Sequence, residues 1–168
     1  MSARVSLRSL ATRVASTILR RGRGGKVGTG RPPRRRAAAP ARTAGVRIAY
    51  TPGRDGQPDS GEVVWTWVPY EDDPRQGKDR PVVVIGSTGS RLAVVPLSSR
   101  GPDGRPDPGA WVPVGSGRWD GQGRKSYANV DRVLRVTAAA IRREGAALDR
   151  RRFDAVVAGV RRRHPEIR

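Results

Sequence analysis

The chain has 168 residues, room for one domain and scarcely two, and its 34 Lys and Arg stand against 15 Asp and Glu for a formal net charge of +19. A balance that basic points to a polyanionic partner, because each cation that meets a phosphate releases condensed counterions; nucleic acid is the first expectation and an anionic membrane the second. With no cysteine and a single histidine, His164, disulfides, thiolate metal sites, cysteine nucleophiles, paired-histidine ribonuclease chemistry and multi-histidine metal sites are all excluded.

Residues 3–20 set Leu7, Leu10, Val14 and Ile18 at helical spacing among Arg4, Arg8, Arg13, Arg20 and Arg21. This predicts a short basic amphipathic helix over 1–20, of a composition that suits an organellar transit segment or a surface-binding helix. Residues 21–60 read as a disordered Arg/Pro/Gly-rich linker, since Arg21 to Arg47 offers almost nothing to bury. The first 60 residues carry 14 basic and 2 acidic side chains, the rest 20 and 13, so the tail exaggerates the basicity of the domain expected over 61–168.

From Gly61 the composition turns to β-formers. Gly61 to Trp67 predicts a first strand, in which Trp65 and Trp67 alternate with Thr66 and are expected to face the core. A loop with Pro69, Pro74 and Gly77 follows. Pro81 to Ile85 is an unbroken β-branched run, which implies a strand buried on both faces. After a turn at Ser87 to Ser90, Arg91 to Leu97 predicts a third strand; Pro96 removes a ladder donor, so that end is expected at an edge or a bulge. Residues 100–125 hold seven Gly and four Pro around one short strand at Trp111 to Val114. Tyr127 to Val136 resumes β character around a helical turn at Asn129 to Asp131. Leu148, Phe153, Val156, Val157 and Val160 then mark one face of a C-terminal helix capped near Asp149. His164, in an arginine-rich end, is expected to be solvated. Several short strands and one helix predict a mostly β, α+β domain in the form of a small barrel. No apolar run approaches the roughly 20 residues that span a bilayer, and a soluble, cytoplasmic protein is expected.

Gly61-Glu-Val-Val-Trp65, Gln76-Gly-Lys-Asp-Arg-Pro-Val-Val-Val-Ile85 and Val94-Val-Pro-Leu-Ser-Ser99, in that order, resemble the signature of PemK/MazF toxins over about residues 61–163. Val130 to Val133 and the terminal helix match more loosely. The resemblance implies an SH3-like β-barrel, a homodimer, a cognate antitoxin, and cleavage of single-stranded RNA with no metal and no other cofactor. It also implies Arg80 and Ser98 as the catalytic pair; the commoner family residue at the second position is Thr, and Ser99 is the adjacent candidate.

The residues suit that chemistry. RNA is cut when its own 2′-OH attacks the neighbouring phosphate, and a guanidinium presents a planar fork to the phosphate oxygens. Lys78 stands beside Arg80 on the way into the strand. Arg118, Trp119, Arg124 and Lys125 form a basic loop segment whose aromatic could stack a splayed base, although packing of Trp119 onto the domain is as good a reading. Arg80 could instead pair with Glu71, Asp72 or Asp73, Ser98 could be a plain turn residue, and the three acids are expected to stay solvated rather than bind metal. The alternative function is a noncatalytic barrel that binds nucleic acid or inhibits gyrase. A third gives the N-terminal segment the main role, as a membrane or nucleic-acid anchor.

Overall fold

The computed structural model describes residues 39–40, 45–53 and 55–168. The helix expected over 1–20 and most of the basic stretch that follows lie outside the described residues. In chain order the elements are β1 (Ala39–Pro40), β2 (Arg47–Ile48), β3 (Glu62–Pro69), β4 (Gly77–Thr88), β5 (Arg91–Ser98), β6 (Trp111–Gly115), β7 (Ser126–Asn129), β8 (Leu134–Val136), β9 (Ile141–Ala147) and α1 (Arg150–Arg163). Every strand pair is antiparallel.

The β-branched run of β4 organises the sheet. Its side chains alternate between two apolar clusters: Val83 and Ile85 join Val63, Val95 and Leu97 beneath α1, while Val82 and Val84 join Val64, Val68, Val94, Leu134 and Val136 on the other face. Both faces of the strand are thus sealed, as an unbroken Val/Ile run requires. Full burial of each such side chain contributes roughly 1.5–3 kcal/mol.

The strand order is β1-β8-β5-β4-β3-β9, with β2 on β4 and β7 joining β5 to β6. Among the described residues β1 and β9 do not pair with each other, so the sheet is open where a closed barrel was expected. On the side away from β4, β5 pairs with β8 as far as Val94↔Leu134 and with β7 only from Leu97↔Ala128, which leaves Val95 and Pro96 between two ladders. Pro96, with no N–H to offer, occupies that seam; it lies in a buried interior strand, not at an edge.

Three expectations are corrected. Residues 45–53 and 55–60 are not a linker: they belong to the same compact unit as the sheet. Val46 is buried, β2 pairs with Ser87 and Gly86, and the Tyr50 hydroxyl donates to the Leu148 carbonyl at 2.8 Å. Gly86 permits this approach, since a Cβ there would lie 2.0 Å from the Arg47 carbonyl oxygen. Trp65 and Trp67 are only half-buried; Thr66 is the buried one, 1% exposed, its hydroxyl donating to the Ala140 carbonyl at 3.0 Å. The face that buries Val63 runs out of cover before Trp65, so the tryptophans emerge at the rim of the core. His164 is half-buried, with Nε2 at 3.1 Å from the Asp131 carbonyl and its backbone N–H closing the helix onto Val160.

The helix is capped as expected. The Asp149 carboxylate accepts the Arg152 N–H at 3.0 Å, and Phe153, Val156, Val157 and Val160 are buried. Gly159 lets the helix sit down on β6, for a Cβ there would come within 2.7 Å of Val112 and 2.9 Å of Val130. Among the described residues no helix is long and apolar enough to cross a membrane.

Candidate active site

Where β3, β4 and β5 run out past the core, Trp65, Lys78, Asp79, Arg80, Pro81, Leu97, Ser98, Ser99, Arg100, Arg105, Asp120, Arg124 and Ser126 line one open cleft of about 440 Å³. Strand β4 begins four residues earlier than the Pro81 start expected from sequence, so Lys78 and Arg80 sit on the ladder and not in a loop. Arg80 stands opposite Thr66. Alternation puts it on the face of Val82 and Val84, just beyond their apolar cluster, where its stem is half-buried. The β4–β5 register ends at Val82↔Pro96. Arg80 and Ser98 lie beyond that ladder, and both line the cleft.

The carboxylates that could have neutralised Arg80 are engaged elsewhere. Glu71 takes Arg132 at 3.3 Å, Asp73 takes Arg75 at 3.1 Å and Gln76 at 2.9 Å, and Asp72 accepts the Asp73 N–H. Among the described residues no carboxylate pairs with Arg80. Burial, first, and then the charges of Arg132, Arg105 and Arg100 lower the Arg80 pKa from its ordinary value, with Tyr70 opposing them. Arg80 itself, followed by burial and by Arg100, pushes the Lys78 ammonium down from the ordinary lysine value. Cations held this close repel one another until an anion arrives.

The Ser98 oxygen accepts the Arg100 N–H at 3.0 Å, which fixes the hydroxyl and leaves its proton to donate into the cleft. Of the acids in the wall, Asp120 is bound to Arg124 at 2.8 Å; hydrogen bonds from that side chain and from the Gln122 N–H hold its carboxyl below the usual range. Asp79 takes Arg142 on Oδ2, and its Oδ1 is buried without a hydrogen-bond partner. Among the described residues no group of three or more His, Asp or Glu is arranged to hold a metal ion.

Of the residues singled out by sequence, Lys78, Arg80, Ser98, Ser99 and Arg124 meet in the cleft. Arg118 and Lys125 are exposed and lie outside its lining. Trp119 is no stacking platform: it is 4% exposed, its Nε1 donates to the Ser126 hydroxyl at 3.1 Å, and its carbonyl accepts the Trp65 indole at 3.1 Å. A buried indole needs a partner for its N–H, and Ser126 supplies one. Sequence reasoning missed Arg100 and Arg105, which arrive on the Gly/Pro-rich loop after β5. The proximity of Arg100 to Ser98 along the chain was the one available signal.

Among the described residues, an open antiparallel sheet with one α-helix on one face, and a cation-lined cleft at the end of its central strands, define an α+β protein. The family model of the PemK-like, MazF-like toxins of type II toxin–antitoxin systems matches residues 59–163, and the chain belongs to that family. No curated protein matches the sequence with significance. Among similar solved structures are an endoribonuclease in complex with its cognate antitoxin from a mycobacterial species, with 12% identity over 64% of this chain and 95% of that one and a TM-score of 0.49. Another is the Mycobacterium tuberculosis toxin MazF-mt6, with 13% identity over 62% and 96% and a TM-score of 0.43. A third is a MazE-MazF structure from Deinococcus radiodurans, with 19% identity over 64% and 96% and a TM-score of 0.46.

Proposed function

We propose that the protein is the toxin of a toxin–antitoxin pair, a cytoplasmic endoribonuclease that cuts single-stranded RNA by transphosphorylation and works as a homodimer until an antitoxin occupies its cleft. What carries the reading is Arg80: a half-buried guanidinium with no carboxylate partner, crowded by like charges, in the same cleft as a hydroxyl free to donate. The 2′-hydroxyl gives its proton to solvent as its oxygen attacks phosphorus, the P–O5′ bond breaks, and the departing 5′-oxygen takes a proton from solvent, leaving a 2′,3′-cyclic phosphate and a 5′-hydroxyl end. Negative charge accumulates on the non-bridging oxygens along this path. Arg80 neutralises that charge through paired N–H donors, and Ser98 donates to one of the same oxygens. Lys78 holds the strand electrostatically, so the reaction needs no metal to balance the charge.

Purified protein is incubated with single-stranded RNA in the presence of a chelator, beside an Arg80→Ala variant. Wild type should cut the RNA to products with cyclic-phosphate ends while the variant leaves it whole. Equal loss or equal persistence of RNA in both samples removes the proposal.

A further inference from the structure

We propose that Arg105 is a second, pre-positioned phosphate-binding residue, taking a phosphate that flanks the scissile one, with Trp111 as the plate that holds it in place. The inference rests on the ribonuclease reading above and names the next contact of the same substrate strand.

Arg105 lines the cleft from the loop after β5, yet it is not a free-swinging surface cation. Its backbone N–H closes a turn onto Pro102 at 3.0 Å, and its Nε donates to the Gly101 carbonyl at 2.9 Å. Its guanidinium lies over the Trp111 ring, 3.7 Å from the centroid. Stacking and the Nε bond fix the plane and consume one edge of the fork. The two terminal nitrogens remain, and among the described residues no carboxylate takes them, although Asp103 and Asp107 are close in sequence; Asp107 is bound to Arg163 at 2.8 Å instead.

A guanidinium immobilised in this way loses little side-chain entropy when it meets an anion. Its charge is felt at Arg80. Two like guanidiniums lining one cleft repel and suit two anions in succession, which is what consecutive phosphates of one strand supply. A lone phosphate needs only Arg80; a chain uses both.

The test uses full-length protein and a single-stranded RNA oligonucleotide spanning the cut that wild type makes in a longer transcript, with a 2′-deoxy sugar at the cut so that binding is read by fluorescence anisotropy without turnover. Arg105→Ala should weaken binding about 10-fold. Neutral methylphosphonates are placed one at a time at the flanking phosphates. One position should weaken wild type by a similar factor and leave Arg105→Ala unaffected. Arg105→Lys keeps the charge and the fold but loses the stacked fork, and should fall between the two. Unchanged binding by Arg105→Ala, or methylphosphonate losses that multiply with the variant's loss at every position, overturns the proposal. Failure of the ribonuclease reading would appear separately, as an all-ribose oligonucleotide left uncut by wild type.

Discussion

Replacing Arg80 by methionine should make the protein more stable and, at the same time, inactive. Methionine keeps an unbranched apolar stem where the arginine stem is half-buried, and removes the charge. That charge is disfavoured first by burial and then by Arg132, Arg105 and Arg100. Each like-charge neighbour at a solvent-screened separation costs roughly 0.3–0.5 kcal/mol. The three together, discounted for the partial exposure of the group, give a gain on the order of 1 kcal/mol. For a domain of this size that raises Tm by about 4 °C. The sign follows from linkage: a basic group with a depressed folded pKa holds its proton less tightly in the folded state than in the unfolded one, so its protonated form is a net cost at neutral pH. Calorimetry at low and high salt measures it, and the gain should shrink as salt screens the repulsion. RNA cleavage should fall by about 10²–10³-fold or more, as when a charge-stabilising donor is removed elsewhere. A variant that melts below wild type, or that melts higher but still cuts RNA at the wild-type rate, refutes the reasoning.

Other expectations follow from single contacts. Gly159→Ala improves helix propensity but drives a methyl into Val112 and Val130, and should lower stability by about 1–3 kcal/mol in denaturant titration, against the usual gain from glycine replacement. The Lys78 ammonium, with its pKa depressed chiefly by Arg80, should lose its proton at a pH below that of an ordinary lysine, so RNA affinity should decline early on the alkaline side. In Lys78→Gln that early decline should vanish, and the salt dependence of binding should lessen by about 0.7 in log–log slope. Burial raises Glu62 above the ordinary carboxylate pKa, against the Asp59 N–H that its carboxylate accepts, so its ionised form is a cost at neutral pH. Glu62→Gln should therefore melt slightly above wild type at pH 7, and the difference should disappear as the pH falls below 4.5, where the glutamate is protonated in both states.

The elements that sequence made legible are those whose side chains decide their burial. The Pro81 to Ile85 run could only be a strand covered on both faces, and the spacing of Phe153, Val156, Val157 and Val160 behind Asp149 could only be a capped amphipathic helix. Strand β9 went unseen because its residues are Ile141-Arg-Arg-Glu-Gly-Ala-Ala147. Its backbone pairs with β3, and its packed apolar residues Ile141 and Ala146 are too few and too widely spaced to show an alternation. In the cleft, Arg80 and Ser98 were reachable through the likeness of their segments to the PemK/MazF signature, not through periodicity. Arg105 was not, since a stack on Trp111 across a Gly/Pro loop leaves no periodic trace. Trp119 was open to two readings from sequence, a base platform or packing onto the domain, and its bonds to Ser126 and the Trp65 indole decide for packing.

The short segment before Gly61 acts as a seal. Its Tyr50 ring leans on Phe153 at 5.0 Å and its hydroxyl closes the Leu148 carbonyl, while β2 fills the notch that Gly86 leaves open. A protein trimmed to begin at the obvious change of composition would therefore start life with an uncapped carbonyl, a bare phenylalanine edge and a groove in the middle strand, and anyone expressing this protein should keep the chain from at least Gly45 onward.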